Sequence, residues 1–407
     1  MLKTLTARTL ITADAEIQFP VIHLDDDGRL VDIGSDPLSL ADETTVLASA
    51  LIDVHMHGGK GIDVMHADES QMRQLEIFLA EHGVGHFLPT TVTASVDSTL
   101  HALERMAKAV RTAKDRTGAV PLGIHIEGPF LSHVKRGMHP AEHLQPPSIE
   151  LFERMQTAAD GQIRMMTVAP EPNAGPFERS EYKAVAALEL IRHASQRGVA
   201  CSVGHTHATA KETVSAIEAG AVTATHTFNA MRAFDHREPG VLGTVLDDER
   251  LFADLICDGV HVSPAAVRLW WRCKGPKRAI LITDALPAAG AADGEYQVGN
   301  DWITAHHGRA VVTRDLAKGK VTLAGSVLTL EQAVIRFAEF TSASIGDGIR
   351  LASHNPAAML NSHASTTLAA GSLVNLTRWD AKGNLITTYV RGREFAGSGT
   401  HSTPHFA

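Results

Sequence analysis

From residue 51 to residue 283 the chain alternates short apolar runs with amphipathic stretches, and few folds accommodate that rhythm. The apolar runs fall at 51–55, 86–90, 122–126, 163–168, 199–203, 222–226, 252–257 and 278–283. Each has the length of a buried strand. Helical patterns lie between most of them. "DESQMRQLEIFLAEHG" stops at a glycine suited to a helix C-terminus, and "STLHALERMAKAVRTAKDRTG" carries Leu100, Leu103, Ala107 and Val110 at helical spacing. "SEYKAVAALELIRHASQRG" repeats the design. Alternating strands and helices give parallel strands joined by crossovers, and eight such units close a (β/α)8 barrel rather than leave an open sheet. The expected class is α/β. A hairpin-like insertion is expected at 288–325.

The two ends read differently. "TARTLITA" and "FPVIHLDDDGRLVDIG" are short strands with an Asp27-Gly28 turn, and "GSLVNLTRWDAKGNLITTYVRGREF" is two strands around "DAKGN". These segments predict a small β-sandwich domain built from 1–50 and 363–396, flanking a barrel at 51–362. The Gly/Ser/Thr-rich tail, 397–407, is expected to be disordered.

Composition narrows the partners. Apolar residues make up 44% and charged residues 20%, the balance of a globular chain with a sizeable core. A net charge of −9 argues against a general nucleic-acid or membrane-surface binder. No run approaches the roughly 20 apolar residues of a membrane helix, and the N-terminus lacks a signal-peptide pattern. Cys201, Cys257 and Cys273 show no CxxC spacing and read as small buried hydrophobes in a reducing compartment. The expected location is cytoplasmic.

In such a barrel the C-terminal strand ends form the active rim. The first strand ends in His55-Met56-His57, and the third, "LGIHIEGPF", in Glu127. The fifth ends in His205, the sixth in His226 and the eighth in Asp284. One histidine at a strand end is an ordinary hydrogen-bonded residue. Imidazoles and carboxylates gathered from five strands onto one rim suit zinc or a similar divalent ion. Asp284 can act as a base and then an acid in hydrolysis; a helix N-cap before "ALPAAG" is its plain alternative.

The motifs "DVHMHGG", "GIHIEGPF", "VGHTHA", "THTFNAM", "REPG", "DGVHV" and "LITDA" resemble, in order and spacing, those of N-acetylglucosamine-6-phosphate deacetylases of the amidohydrolase superfamily. The likeness runs from about residue 50 to residue 362, and HxH is shared by the whole superfamily. "IHIEGPF" with "THTFNAM…REPG" and "DGVHV" is specific to this branch.

The resemblance implies that Glu127, His205 and His226 hold one metal and His55 and His57 a second, with Glu127 reaching both. One or two divalent ions per chain follow, zinc first, with iron, manganese or cobalt as alternatives. It implies that His139 polarises the substrate carbonyl and that Asn229, Ala230, Arg237 and His261 bind the phosphate or sugar. It also implies that Met138, Asp258, Leu323, Ala324 and Gly325 line the substrate pocket. In the family the arginine comes from a neighbouring subunit, so a homodimer is implied, with Arg237 reaching the partner's site.

The implied reaction converts N-acetyl-D-glucosamine 6-phosphate into D-glucosamine 6-phosphate and acetate in amino-sugar catabolism and cell-wall recycling. Three alternatives stay open: the N-acetylgalactosamine 6-phosphate epimer, a cyclic amide as substrate of another amidohydrolase, and a barrel without catalysis. His125 points to the same side as Glu127 but reads as a barrel-interior histidine, and His207 has no assigned role. Trp270 and Trp271 read as core and interface residues rather than a sugar platform.

Overall fold

The computed structural model describes residues 3–38, 44–113, 116–177 and 180–397. The remainder of the tail from residue 398 lies outside the described residues. Eight parallel strands form the centre: β1 (Leu51–Met56), β2 (Val84–Thr91), β3 (Ile124–Glu127), β4 (Ile163–Val168), β5 (Ala200–Val203), β6 (Ala221–Ala224), β7 (Ala253–Ile256) and β8 (Ala279–Ile282). The first six are hydrogen-bonded in sequence order, and β7 pairs with β8. The circle closes in two places. Thr227 donates to the Asp254 carbonyl (2.8 Å) and Phe252 to Val222 (2.9 Å), joining β6 to β7. Asp284 donates to the His55 carbonyl (2.9 Å), and Met56 bridges Ala285, joining β8 to β1. Every residue of β1 is buried, as a parallel strand covered on both faces requires.

Helices follow the strands: α1 (Glu69–Glu81), α2 (Val96–Thr112), α3 (Ile149–Ala158), α4 (Ala187–Gln196), α5 (Ala210–Ala219), α6 (Gly240–Asp247), α7 (Pro264–Arg278) and α8 (Leu330–Thr341). Their starts follow local chemistry. Asp68 with Gln71 and Thr209 with Glu212 form capping boxes. α4 departs from its pattern, beginning at Ala187 rather than near Ser180. The preceding residues are tied to α3 instead: Val185 donates to the Pro147 carbonyl (2.8 Å), and Arg154 donates to the Tyr182 hydroxyl. Trp270 is fully buried in α7, its indole N–H bonded to the Ala253 carbonyl (3.2 Å), and both Trp270 and Trp271 pack on Phe337. Cys201 and Cys257 are buried, but Cys273 is exposed. No helix among the described residues is long and apolar enough to cross a membrane.

The chain ends build two sheets and meet in the second. One is antiparallel, of Lys3–Thr6, Pro20–Leu24 and Leu30–Ser35. The other has six strands, in which Glu16–Gln18, Thr9–Ile11 and Val46–Ser49 continue through the Val46–Ser49 edge into Leu376–Trp379, Leu385–Val390 and Arg393–Ala396. Leu10, Ile22, Leu24, Leu47 and Leu376 are fully buried together in the core these strands share. The C-terminal segment therefore supplies three strands where its sequence pattern predicts two. The 288–325 insertion is also richer than a hairpin, a three-stranded sheet of Gly294–Val298, Asp301–His306 and Arg309–Val312. It packs Val298, Ile303 and Val312 against Val92, Leu286 and Ala288 beside the barrel mouth.

Candidate metal centre and active site

The strand ends converge. His55 lies on β1 and Glu127 ends β3, while His205, His226 and Asp284 each stand two residues beyond the last residue of β5, β6 and β8. Those three adopt left-handed backbone, with φ of +46°, +31° and +50°. Left-handed conformation is uncommon for a residue with a side chain and collects at functional sites. Here it turns each chain sharply out of its strand just where a side chain must aim over the barrel. Gly325 serves the same corner: a Cβ there would stand 2.6 Å from the Asp284 carbonyl oxygen.

Glu127 is the hub. Its Oε1 lies 3.2 Å from Nε2 of both His205 and His226 and 3.5 Å from His55, and its Oε2 lies 3.3 Å from Nε2 of His57. Asp284 Oδ1 closes the group at 3.1 Å from His57 and 3.5 Å from His55. Nitrogen also faces nitrogen, at 3.2 Å for His55 and His57 and 3.0 Å for His205 and His226. All six side chains are buried.

The outer ring nitrogens show what the inner ones offer. His205 Nδ1 donates to the Lys135 carbonyl (2.9 Å) and His57 Nδ1 to Thr90 (3.1 Å). With Nδ1 so committed, each ring when neutral presents a bare Nε2 lone pair inward, the tautomer a metal needs. His139 is the opposite case. Its Nδ1 accepts the Thr93 backbone N–H (3.2 Å), so its proton sits on Nε2, 3.5 Å from Glu127 Oε2. His139 is thus a hydrogen-bond donor into the site.

Electrostatics agree with that donor set. Burial would raise the Glu127 carboxyl, but His55 and the hydrogen-bonding histidines hold it well below the usual carboxylate range. Burial is likewise outweighed at Asp284, held at about 2 by His55 and His57. Burial opposes charge on His57 and His226, yet Asp284 and Glu127 raise His57 to about 10, and Glu127 raises His226 to about 9. Burial lowers His205 to about 4. Two buried carboxylates demand nearby positive charge, which protons on His57 and His226 or a divalent cation can supply. Ion and protons then compete, so metal affinity should fall as pH falls. With two displaced protons the apparent affinity drops about 100-fold per pH unit. Zinc titrations against a competing chelator between pH 6 and 8 test this, and a pH-independent affinity would contradict it.

Two further carboxylates escaped sequence reasoning. Asp53 accepts the Thr283 hydroxyl (2.6 Å), and Asp254 accepts the His226 backbone N–H, each from behind the ligand strands. Burial raises them to about 7 and about 8. Full burial of a carboxylate within a strand is a tertiary fact with no local signal.

The cluster floors a cavity of about 140 Å³ that opens to solvent. Its walls include Met138, His139, Asn229, Ala230, His261, Leu323, Ala324 and Gly325, together with Val92, Gly137 and Ile256, which the sequence had not singled out. Two expected residues stand apart from the wall. Asp258 turns back to hold His261, accepting its Nδ1–H (2.7 Å) and backbone N–H (2.8 Å). Arg237 is exposed, its backbone bonded to Asp235. His125 is fully buried in the barrel interior, bonded to Thr167 (2.8 Å) and edge-on to His55, and His207 is exposed.

A closed parallel barrel with histidines and carboxylates at these five strand ends is the architecture of an amidohydrolase, a class that uses a divalent metal. No family model matches the chain. It is 38% identical over 318 residues to an N-acetylglucosamine-6-phosphate deacetylase of Bacillus subtilis, covering 78% of this chain and 76% of that one. It is 36% identical over 362 residues to an N-acetylgalactosamine-6-phosphate deacetylase of Escherichia coli O157:H7, covering 88% and 90%. A solved N-acetylglucosamine-6-phosphate deacetylase variant from Mycobacterium smegmatis, in complex with N-acetyl-D-glucosamine-6-phosphate, superposes with a TM-score of 0.87 at 31% identity, covering 97% of this chain and 99% of that one. The chain belongs to the N-acetylglucosamine-6-phosphate deacetylase family.

Proposed function

We propose that the chain hydrolyses the acetamide of N-acetyl-D-glucosamine 6-phosphate, giving D-glucosamine 6-phosphate and acetate, in cytoplasmic amino-sugar catabolism and cell-wall recycling. The observation that carries this reading is Glu127 ringed by imidazole nitrogens beneath a cavity into which His139 offers an N–H.

Glu127, His205 and His226 would hold one divalent ion, and His55, His57 and Glu127 a second. Zinc suits this mixed nitrogen and oxygen set first, with iron, manganese or cobalt as alternatives. When bound, such an ion acidifies a water molecule and polarises the acetamide carbonyl. Asp284, ionised and facing the cavity, takes the water proton. It returns that proton to the sugar nitrogen as the C–N bond breaks, and the oxygen left on the acetyl carbon makes the product acetate. His139 donates its Nε2–H to the carbonyl oxygen as negative charge gathers there.

His261, oriented by Asp258, and Asn229 face the sugar phosphate from within the chain. Arg237, exposed in the same loop as the exposed Phe234, is offered to a second copy in a homodimer. Its planar fork suits a phosphate. Arg237→Ala should raise KM for the phosphorylated sugar about 10- to 100-fold. It should leave any weak hydrolysis of unphosphorylated N-acetylglucosamine nearly unchanged; equal effects on both substrates would remove Arg237 from the phosphate site.

The deciding experiment is acetate release paired with elemental analysis of the same purified sample. Fast release with about two ions per chain is expected from the two ligand sets. Metal without acetate release would send the assignment to another amide. The Escherichia coli relative favours a second reading, in which the substrate is the galacto epimer. Comparing kcat/KM on the two sugar phosphates separates the readings, and a higher value on the galacto epimer would reverse the substrate proposed here.

A further inference from the structure

The inserted sheet carries a separate cluster of metal-binding side chains, outside the cavity, and strand register creates it. Gly294 pairs with Ala305 and Tyr296 with Ile303, so Asp293 falls opposite His306, one step beyond the paired residues. The strand ending at His306 then turns through His307 and Gly308, whose φ angles are +48° and +74°, and His306 pairs with Arg309. Adjacent side chains on a straight strand point to opposite faces. This turn cancels that alternation and brings the two imidazole centroids to 3.8 Å.

Asp293 Oδ2 lies 3.0 Å from His306 Nδ1 and accepts the His307 backbone N–H at 3.1 Å. A donor atom from each of the three side chains fits within 4.8 Å of the others. All three are exposed, so no buried core forces the rings together. Two imidazoles and a carboxylate are the ligand set of zinc and its transition-metal neighbours, whereas magnesium and calcium prefer oxygen alone.

The geometry points to a further metal site at Asp293, His306 and His307, one that takes a zinc-class divalent ion and is independent of the catalytic centre. Three protein ligands leave the remaining positions to water. An ion there ties the residue that leads into the inserted sheet to the turn joining its last two strands. It thereby stiffens the element that packs beside the barrel mouth.

The test compares the untagged full-length chain with an H306A/H307A double variant and with D293N, each equilibrated with zinc. The native chain should hold one more zinc per chain than either variant, while acetate release stays equal in all three. Zinc at about ten times its dissociation constant should slow hydrogen exchange across residues 294–312 about tenfold in the native chain only. Because the comparison is a difference, it stands whatever the occupancy of the catalytic centre. Equal zinc content in the three proteins overturns the site.

Discussion

Glu127→Ala should release bound metal and abolish acetate formation together, and His205→Ala should do the same. Glu127 is the one carboxylate among the described residues within 3.5 Å of all four of His55, His57, His205 and His226, so its removal leaves four imidazoles around a hole. The barrel itself should survive, because backbone hydrogen bonds at β6–β7 and β8–β1 close it without that side chain. Metal content, acetate release and thermal midpoint on one preparation separate the outcomes. Loss of metal and rate with a preserved midpoint is the expected result. Full activity after either substitution would move the metal centre elsewhere.

Asp284→Asn should divide the same functions differently. Asparagine keeps the shape of the carboxylate but can neither take the water proton nor return it to the amine. The expected result is retained metal, a nearly unchanged KM and kcat lower by about 10²- to 10⁴-fold. The proton role predicts in addition that the acid limb of the kcat–pH profile disappears in the variant. A near-normal rate would leave Asp284 a purely structural residue at the end of β8.

Strand positions were legible because fully buried parallel strands are short continuous apolar runs, and the eight observed strands lie within about two residues of them. Glu127 and the first-strand histidines were legible for the same reason, since they end such runs. The turn that aims His205, His226 and Asp284 was not, because nothing in the composition of a histidine or aspartate announces left-handed backbone. The tautomer of His139 was likewise invisible, since it depends on a Thr93 amide 46 positions away in sequence. Asp258 was read as lining the pocket, but a side chain that orients its neighbour looks the same in sequence as one that touches a ligand. The start of α4 was misplaced because an alanine-rich segment has strong helical propensity, which tethering to α3 overrides.

The sheet that joins both chain ends sets an order of events during synthesis. Val46–Ser49 pairs with Thr9–Ile11 on one side, but its other neighbour, Leu376–Trp379, arrives only after that segment has left the ribosome. At about 5–20 residues per second that delay is on the order of tens of seconds. One edge of the small sheet made by residues 9–18 and 46–49 stays unpaired through that delay while the barrel residues emerge. A product lacking residues 376 onward should therefore keep that edge open and be recognised by proteases near residues 46–49 rather than at its broken end.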